Sequence, residues 1–399
     1  MYTPSAEILK KYADVLVKFA LNSGKGVKKG EVVQVVIDDV AKPFILPLQT
    51  AILESGAHPM IRMFPTGVNK AFYELANDDQ LTFFPKKFLK ARIDLIDHSV
   101  GIIADHDLHE LADIDPKKIM KASESKKKLR EWTSDKEYAG KFTWTLGLYG
   151  TPAMAKEAGM SLEEYWQQII KACFLDKKDP IAEWKKIFVE QERVKKALNS
   201  LPVDKLHVVG KNIDLWMSMG KKRQWVGGSG RNIPSFEIFT SPDWRGTNGH
   251  ITFNQPLYRY GNLVTDVRLT FKNGKVIKAT ASKGEKLLKE MIKRPNADKI
   301  GEYSLTDSRA SRITKFMAET LFDENMGGRY GNTHLAVGMS YKDAYKGDPT
   351  EVKKAEWKAM GFNDSGEHCD IISTEDRKVT AILKNGSEKV IYKDGKFVV

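Results

Sequence analysis

Glu31-Val32-Val33-Gln34-Val35-Val36-Ile37 is a nearly continuous β-branched run. Such a run suits a strand buried on both faces, the setting that a parallel sheet provides. A helix is expected before it, over about 5–22, and another after it, through Pro47 to Glu54. The strand His58-Pro59-Met60-Ile61-Arg62-Met63-Phe64 comes next, and the pattern returns with Val100-Gly101-Ile102-Ile103-Ala104 and Phe142-Thr143-Trp144-Thr145-Leu146. Strands separated by helical stretches need crossover connections, so the first half reads as α/β with a mainly parallel sheet. Residues 160–199 read as helical, opened by a capping box of Ser161 and Glu164.

The character changes near Leu198-Asn199-Ser200-Leu201-Pro202. Beyond it, Lys272-Asn273-Gly274-Lys275, Lys384-Asn385-Gly386-Ser387 and Lys393-Asp394-Gly395-Lys396 sit between apolar runs. Asn-Gly and Asp-Gly take up the positive φ angles of tight hairpins, so the second half reads as α+β, rich in antiparallel strands. Helices are expected at about 284–293 and 309–320. The chain is accordingly divided into an α/β domain, 1–203, and a second domain, 204–399.

A length of 399 residues with 41% hydrophobic content accommodates two globular domains. Cys173 and Cys369 are too few and too far apart for a disulfide framework or a Cys-rich zinc module, which points to a reducing compartment. There is no run of about 18 apolar residues that would span a bilayer. Residues 1–21 read as an amphipathic helix rather than a signal peptide, and a cytoplasmic location is expected. The net charge of +12 raises nucleic-acid binding as an alternative, but the positive residues are dispersed. The densest cluster, Lys117 to Arg130, is interrupted by acids and reads as a solvated helix face. Gly24-Lys25-Gly26 and Gly227-Gly228-Ser229-Gly230 match no phosphate-binding loop and read as turns.

Metal-competent groups gather in five segments of the second half. Glu237 interrupts the apolar run Phe236-Glu237-Ile238, and a buried carboxylate is costly unless it is paired or bound to a cation. Glu302 follows Gly301, Asp323-Glu324 could end a helix, and His334 lies among small residues. His368-Cys369-Asp370 would place an imidazole and a carboxylate on the same side of a strand, with Cys369 facing away as a packing residue. Each has an ordinary structural explanation, Glu237 as an edge residue and His334 as a satisfied core histidine. Together they form an oxygen and nitrogen ligand set suited to Zn, Co or Mn rather than a thiolate site.

The ordered series Phe236-Glu237-Ile238-Phe239-Thr240-Ser241-Pro242, Gly301-Glu302-Tyr303, Asp323-Glu324-Asn325, Gly331 to Gly338 with Tyr341, and Asn363-Asp364-Ser365-Gly366-Glu367-His368-Cys369-Asp370 resembles peptidase family M29. These are the thermophilic-type metalloaminopeptidases, aminopeptidase T/S/PepS-like. Thr151 to Tyr165 extends the likeness upstream, so it covers nearly the whole chain. The resemblance implies a metal-dependent aminopeptidase with two divalent ions, Zn, Co or Mn, acting on peptides with a free N-terminus. Glu237, Glu302, His334, His368 and Asp370 fall at the family's ligand positions, with Glu302 expected to bridge, and Tyr341 falls at its catalytic tyrosine. Glu324 matches an acidic position, either a further ligand or a carboxylate near the site; it or Glu302 would accept the proton of the attacking water. A cytoplasmic homodimer is implied, the first domain supplying cavity wall and access and the second the chemistry. Phe236 stands where the family has a small residue beside the first ligand. A nonpeptidase two-metal amide or ester hydrolase, and a noncatalytic basic nucleic-acid-binding protein, are the alternatives.

Overall fold

The computed structural model describes residues 2–259 and 262–399, which form two compact units. The first holds residues 2–183 and 229–233, the second Trp184–Gly228 and Pro234–Val399. The division therefore falls inside the helix Pro180–Ser200, earlier than the boundary expected near 203. The reason is packing: Val194 and Leu198 on this helix belong to the core of the second unit. Residues 229–233 return to the first unit, where Asn232 bridges in parallel to Leu146.

In the first unit Val32–Asp38 lies inside a four-stranded parallel sheet, between His58–Phe64 and His98–Ile103, with Thr143–Leu148 at the far edge. Val33, Val35 and Ile37 bury one face, while on the other Gln34 is buried and Val32 and Val36 are half-buried, so burial on both faces is only partial. The expected helix over 5–22 runs from Ala6 to Val15 and continues as a π-helical turn to Ala20. It stops short because Asn22 and Ser23 both take φ 53°. Asn22 there donates its main-chain N–H to Thr143 Oγ1 and its side-chain amide to the Gly26 carbonyl. The Ser161–Glu164 box is reciprocal, each residue accepting the other's main-chain N–H, at 3.2 and 3.0 Å. The helical stretch it opens is interrupted, Leu162–Ala172 giving way at Phe174, φ 58°, before Pro180–Ser200. The basic cluster lies on two helices, Pro116–Ser125 and Lys127–Tyr138. There Lys121 pairs with Asp78 at 2.6 Å, Lys128 with Glu131 at 2.9 Å, and Lys118 and Arg130 donate to carbonyls.

The second unit is built on an eight-stranded antiparallel sheet with the order Lys275–Thr280, Val267–Lys272, Asp243–Phe253, Ile213–Ser218, Val203–Gly210, Arg377–Leu383, Glu388–Lys393, Lys396–Phe397. Asn273-Gly274 and Asp394-Gly395 turn with both residues at positive φ, as two-residue hairpins demand. At Asn385-Gly386 only the glycine is left-handed, φ 84°, and Leu383 N–H bonds the Ser387 carbonyl, so this hairpin has a longer loop. The helix at 284–293 is present as Glu285–Ile292. The one expected at 309–320 is not: residues 307–318 are irregular and only Thr320–Asp323 is helical. Asp323 organises this segment by accepting main-chain N–H groups of Met317 at 2.6 Å and Glu319 at 3.0 Å, while Ala318 takes φ 52°. Among the described residues no helix is long and apolar enough to cross a membrane.

Candidate active site

A second antiparallel sheet of four strands, in the order His368–Ser373, Asn332–Gly338, Ile300–Thr306, Glu237–Thr240, carries all five candidate ligands. Its register places Glu237 opposite Thr306, His334 opposite Ser304, Glu302 and Asp370 on either side of Ala336, and His368 opposite Gly338. Paired residues share a face and so do residues two apart along a strand, so all five expected ligands emerge on one side of the sheet. Ala336 and Gly338 lie between them and leave the space that larger side chains would fill. A bulge between Ile300 and Glu302 breaks the ladder immediately before Glu302. It needs Gly301, where a Cβ would come within 2.1 Å of the Met339 carbonyl oxygen.

The functional atoms converge closely. His334 Nε2 lies 3.0 Å from Glu302 Oε1, 3.2 Å from Glu237 Oε2 and 3.8 Å from Asp370 Oδ1. His368 Nε2 lies 3.3 Å from Asp370 Oδ1 and 3.7 Å from Glu302 Oε2. Two sets of potential metal ligands result, Glu237–Glu302–His334 and Glu302–His368–Asp370, with Glu302 common to both. Ser304 Oγ donates to Glu237 Oε2 at 3.0 Å, and Met339 O accepts from His368 Nδ1 at 2.8 Å, which turns Nε2 toward the carboxylates. The His368 and Asp370 side chains keep 16% and 12% of their surface in contact with solvent, against 1% for His334 and 4% for Glu302. The second set is therefore the open one.

Electrostatics favour a cation here. Burial, then the neighbouring Glu237 and Asp370, raises the Glu302 carboxyl despite the His334 contact. Burial followed by Glu237 and Asp370 pushes Glu324 well above its ordinary range. Burial would lower both imidazoles, yet Glu237 and Glu302 lift His334 well above its usual value, and Asp370 lifts His368 to about 9. Burial would raise Asp370, but His368 and then His334 hold it below the usual carboxylate range. Glu302 Oε2 and Asp370 Oδ1 are buried with no aligned hydrogen-bond donor, although Asp370 Oδ1 lies near His368. Buried carboxylate oxygens left in this state call for a cation, so the donor set fits divalent metal ions.

Tyr341 follows the His334 strand and meets His368 edge-on, ring centres 4.7 Å apart. Phe239 supports it from 5.9 Å, and the Tyr341 main-chain N–H donates to Ser241 Oγ at 2.9 Å. Burial, then Glu302 and Asp370, raises its phenol well above the ordinary value, which keeps it a donor. Glu324 is buried just after the short helix, its carbonyl 3.4 Å from His334 Nδ1. Cys369 packs into the core, as expected. Phe236 does not crowd the ligands: its ring stacks on Trp184 at 5.2 Å, while the Glu237 carboxylate turns to Ser304 and His334. Asn325 and Asn332 were not foreseen. Asn325 Oδ1 accepts the Phe236 N–H, and Asn332 Nδ2 donates to the Glu324 and Met326 carbonyls. Their only sequence signal is an amide side chain beside a ligand segment.

Known proteins share this architecture. The structure of wild-type AmpT from Thermus thermophilus superposes with a TM-score of 0.83 over 98% of this chain and 99% of that one, at 22% identity. Aminopeptidase AmpS of Bacillus subtilis is 28% identical over 413 residues, covering 97% of each chain. Aminopeptidase PepS of Streptococcus thermophilus is 31% identical over 283 residues, covering 65% of this chain and 67% of its own. The family model described as thermophilic metalloprotease (M29) matches residues 5–397, and the chain belongs to that family.

Proposed function

We propose that this protein is a metal-dependent aminopeptidase that removes N-terminal residues from peptides. The observation that carries the reading is the pair of ligand sets joined through Glu302 on one sheet face. Glu237, Glu302 and His334 would hold one divalent ion and Glu302, His368 and Asp370 the other, with Zn, Co and Mn all suited to these donors. Bound there, two such ions supply an acidified water and a polarised scissile carbonyl.

The chain's own groups do the rest. Tyr341 donates its phenolic proton in a hydrogen bond to the oxygen that gains charge as the carbonyl becomes tetrahedral. Glu302 or Glu324 accepts the proton of the attacking water and returns it to the leaving amine. In the metal-free chain burial raises both carboxyls. The excess of carboxylates attracts a substrate's free α-ammonium group, which favours exopeptidase over endopeptidase action. The first unit would supply cavity wall and access, and the active form would be a cytoplasmic homodimer. The two buried free cysteines agree with a reducing compartment.

The test is hydrolysis of free and N-acetylated aminoacyl anilides after chelation and re-addition of Zn, Co or Mn. Cleavage of free but not blocked substrates, restored by metal, is the expected outcome. Equal cleavage of blocked substrates would refute the aminopeptidase assignment. An active monomer in light scattering would refute the dimer.

A further inference from the structure

Glu367 immediately precedes the His368–Asp370 pair, and its side chain is only 1% exposed. No step of the hydrolytic reading uses it. Two guanidinium groups from distant segments close on it, Arg259 Nη2 donating to Oε1 and Arg294 Nη1 to Oε2, both at 2.5 Å. Arg259 ends the short strand Leu257–Arg259, and Arg294 follows the helix Glu285–Ile292. A carboxylate this deeply buried is strongly unfavourable without its cations, so the three residues lock one another in place.

The lock acts on His368 from three directions. Arg259 Nη2 also donates to the His368 carbonyl oxygen, at 3.2 Å. The Glu367 carbonyl accepts the Met339 N–H at 2.7 Å, and the Met339 carbonyl in turn accepts from His368 Nδ1 at 2.8 Å. Gly338, opposite His368 in the ladder, lets the strands meet closely, since a Cβ there would lie 2.1 Å from the Glu367 carbonyl oxygen. Main chain on both sides of His368, and the tautomer of its ring, are thus tied to one salt-bridged residue.

We propose that Arg259, Glu367 and Arg294 form a positioning clamp for His368, setting the affinity of the Glu302–His368–Asp370 metal position without touching the metal. The clamp rests on the two-metal reading above. Its effect is selective: it bears on the open position and leaves Glu237–Glu302–His334 alone.

The test is Zn titration of the chelated full-length protein by calorimetry against a competing chelator, with thermal unfolding alongside. Glu367→Gln should bind one Zn as the unaltered protein does and the second about 10–100-fold more weakly, the range for losing a group that orients a metal ligand. Arg259→Gln combined with Glu367→Gln removes one charge of each sign, so the clamp's net charge stays as it is while its geometry is lost; the weakening should persist. Arg294→Lys, which keeps charge and donor, should fold and retain near-normal affinity even if Glu367→Gln does not fold. Unchanged Zn binding in Glu367→Gln, equal weakening at both positions, or recovery in the double variant would each overturn the clamp. His368→Ala separates this from the parent reading: if that variant still binds two Zn normally, the two-metal assignment itself fails.

Discussion

Tyr341→Phe isolates one atom of the proposed mechanism. The ring is held by His368 and Phe239, at 4.7 and 5.9 Å between centres, and the main chain by Ser241. Phenylalanine preserves all three contacts and deletes only the hydroxyl. None of the five proposed ligands is altered, so metal content should stay unchanged. The hydroxyl acts on charge that develops only in the transition state, so its loss should appear in kcat and leave KM nearly constant. Removing one such donor costs about 10²–10³ in kcat, or about 3–4 kcal/mol. The assay is steady-state hydrolysis of a leucine anilide at saturating metal, with metal analysis and thermal unfolding on the same preparations. Retained kcat would show that Tyr341 does not serve the oxyanion. A loss of metal, or a rise in KM equal to the fall in kcat/KM, would assign it to ligand packing or ground-state binding instead.

Other perturbations reach different parts of the structure. Glu302→Gln should lower Zn content at both positions, because Glu302 belongs to both ligand sets; a variant that keeps two tightly bound ions and full activity would contradict the bridge. Metal removal should become more damaging as pH rises. The His368 imidazole is lifted from 6.5 to about 9, so in the chelated protein its charge contributes stability that is complete below the unfolded value and is lost as pH climbs through the folded one. That shift is worth about 3 kcal/mol at most. The raised Glu302 carboxyl acts in the same sense at lower pH, its contribution being lost between 4.5 and about 7. The melting gap between loaded and chelated protein should therefore widen from pH 6.5 to pH 9, and a constant gap would be the contrary result. Arg223→Met should destabilise by about 2–4 kcal/mol in urea unfolding, because three carbonyls lose a buried donor. Arg223 donates to Ser241, Lys221 and Met360 carbonyls and stacks on Phe362, and an unchanged unfolding midpoint would disprove that role.

What the sequence discloses and what it conceals follow from the range of the interactions. Val32–Asp38 was legible because its burial is written in consecutive β-branched residues, and the Ser161–Glu164 box because its partners are three residues apart. The false helix at 309–320 fails for the opposite reason. Ile313, Met317 and Leu321 are buried at helical spacing, but Asp323 captures the main-chain donors of Met317 and Glu319 and imposes an irregular path. The domain boundary was missed because a change in local pattern after residue 200 does not reveal that Val194 and Leu198 already pack with the second unit.

The site divides along the same line. Glu237 stood out as a carboxylate in an apolar run, a local contradiction that only pairing or a cation resolves, while the other candidate ligands drew their weight from the ordered family resemblance. Their assembly depends on register, which no single segment contains. Glu302 reaches both ligand sets because it pairs with Ala336, whose other neighbour is Asp370, and lies two residues from Ser304, opposite His334. Glu302 keeps strict alternation with Ser304 and Thr306, which fixes its side chain on the face of His334 and Glu237, and the bulge at Gly301 lets the strand leave that register immediately before it. Gly301, which cannot carry a Cβ beside the Met339 carbonyl, shapes the main chain that leads into this shared carboxylate. Gly301→Ala should uncouple the two metal positions, releasing the more open one first, which metal analysis during stepwise chelation would detect. Simultaneous release of both ions with unaltered affinity would show that the bulge does not govern the bridge.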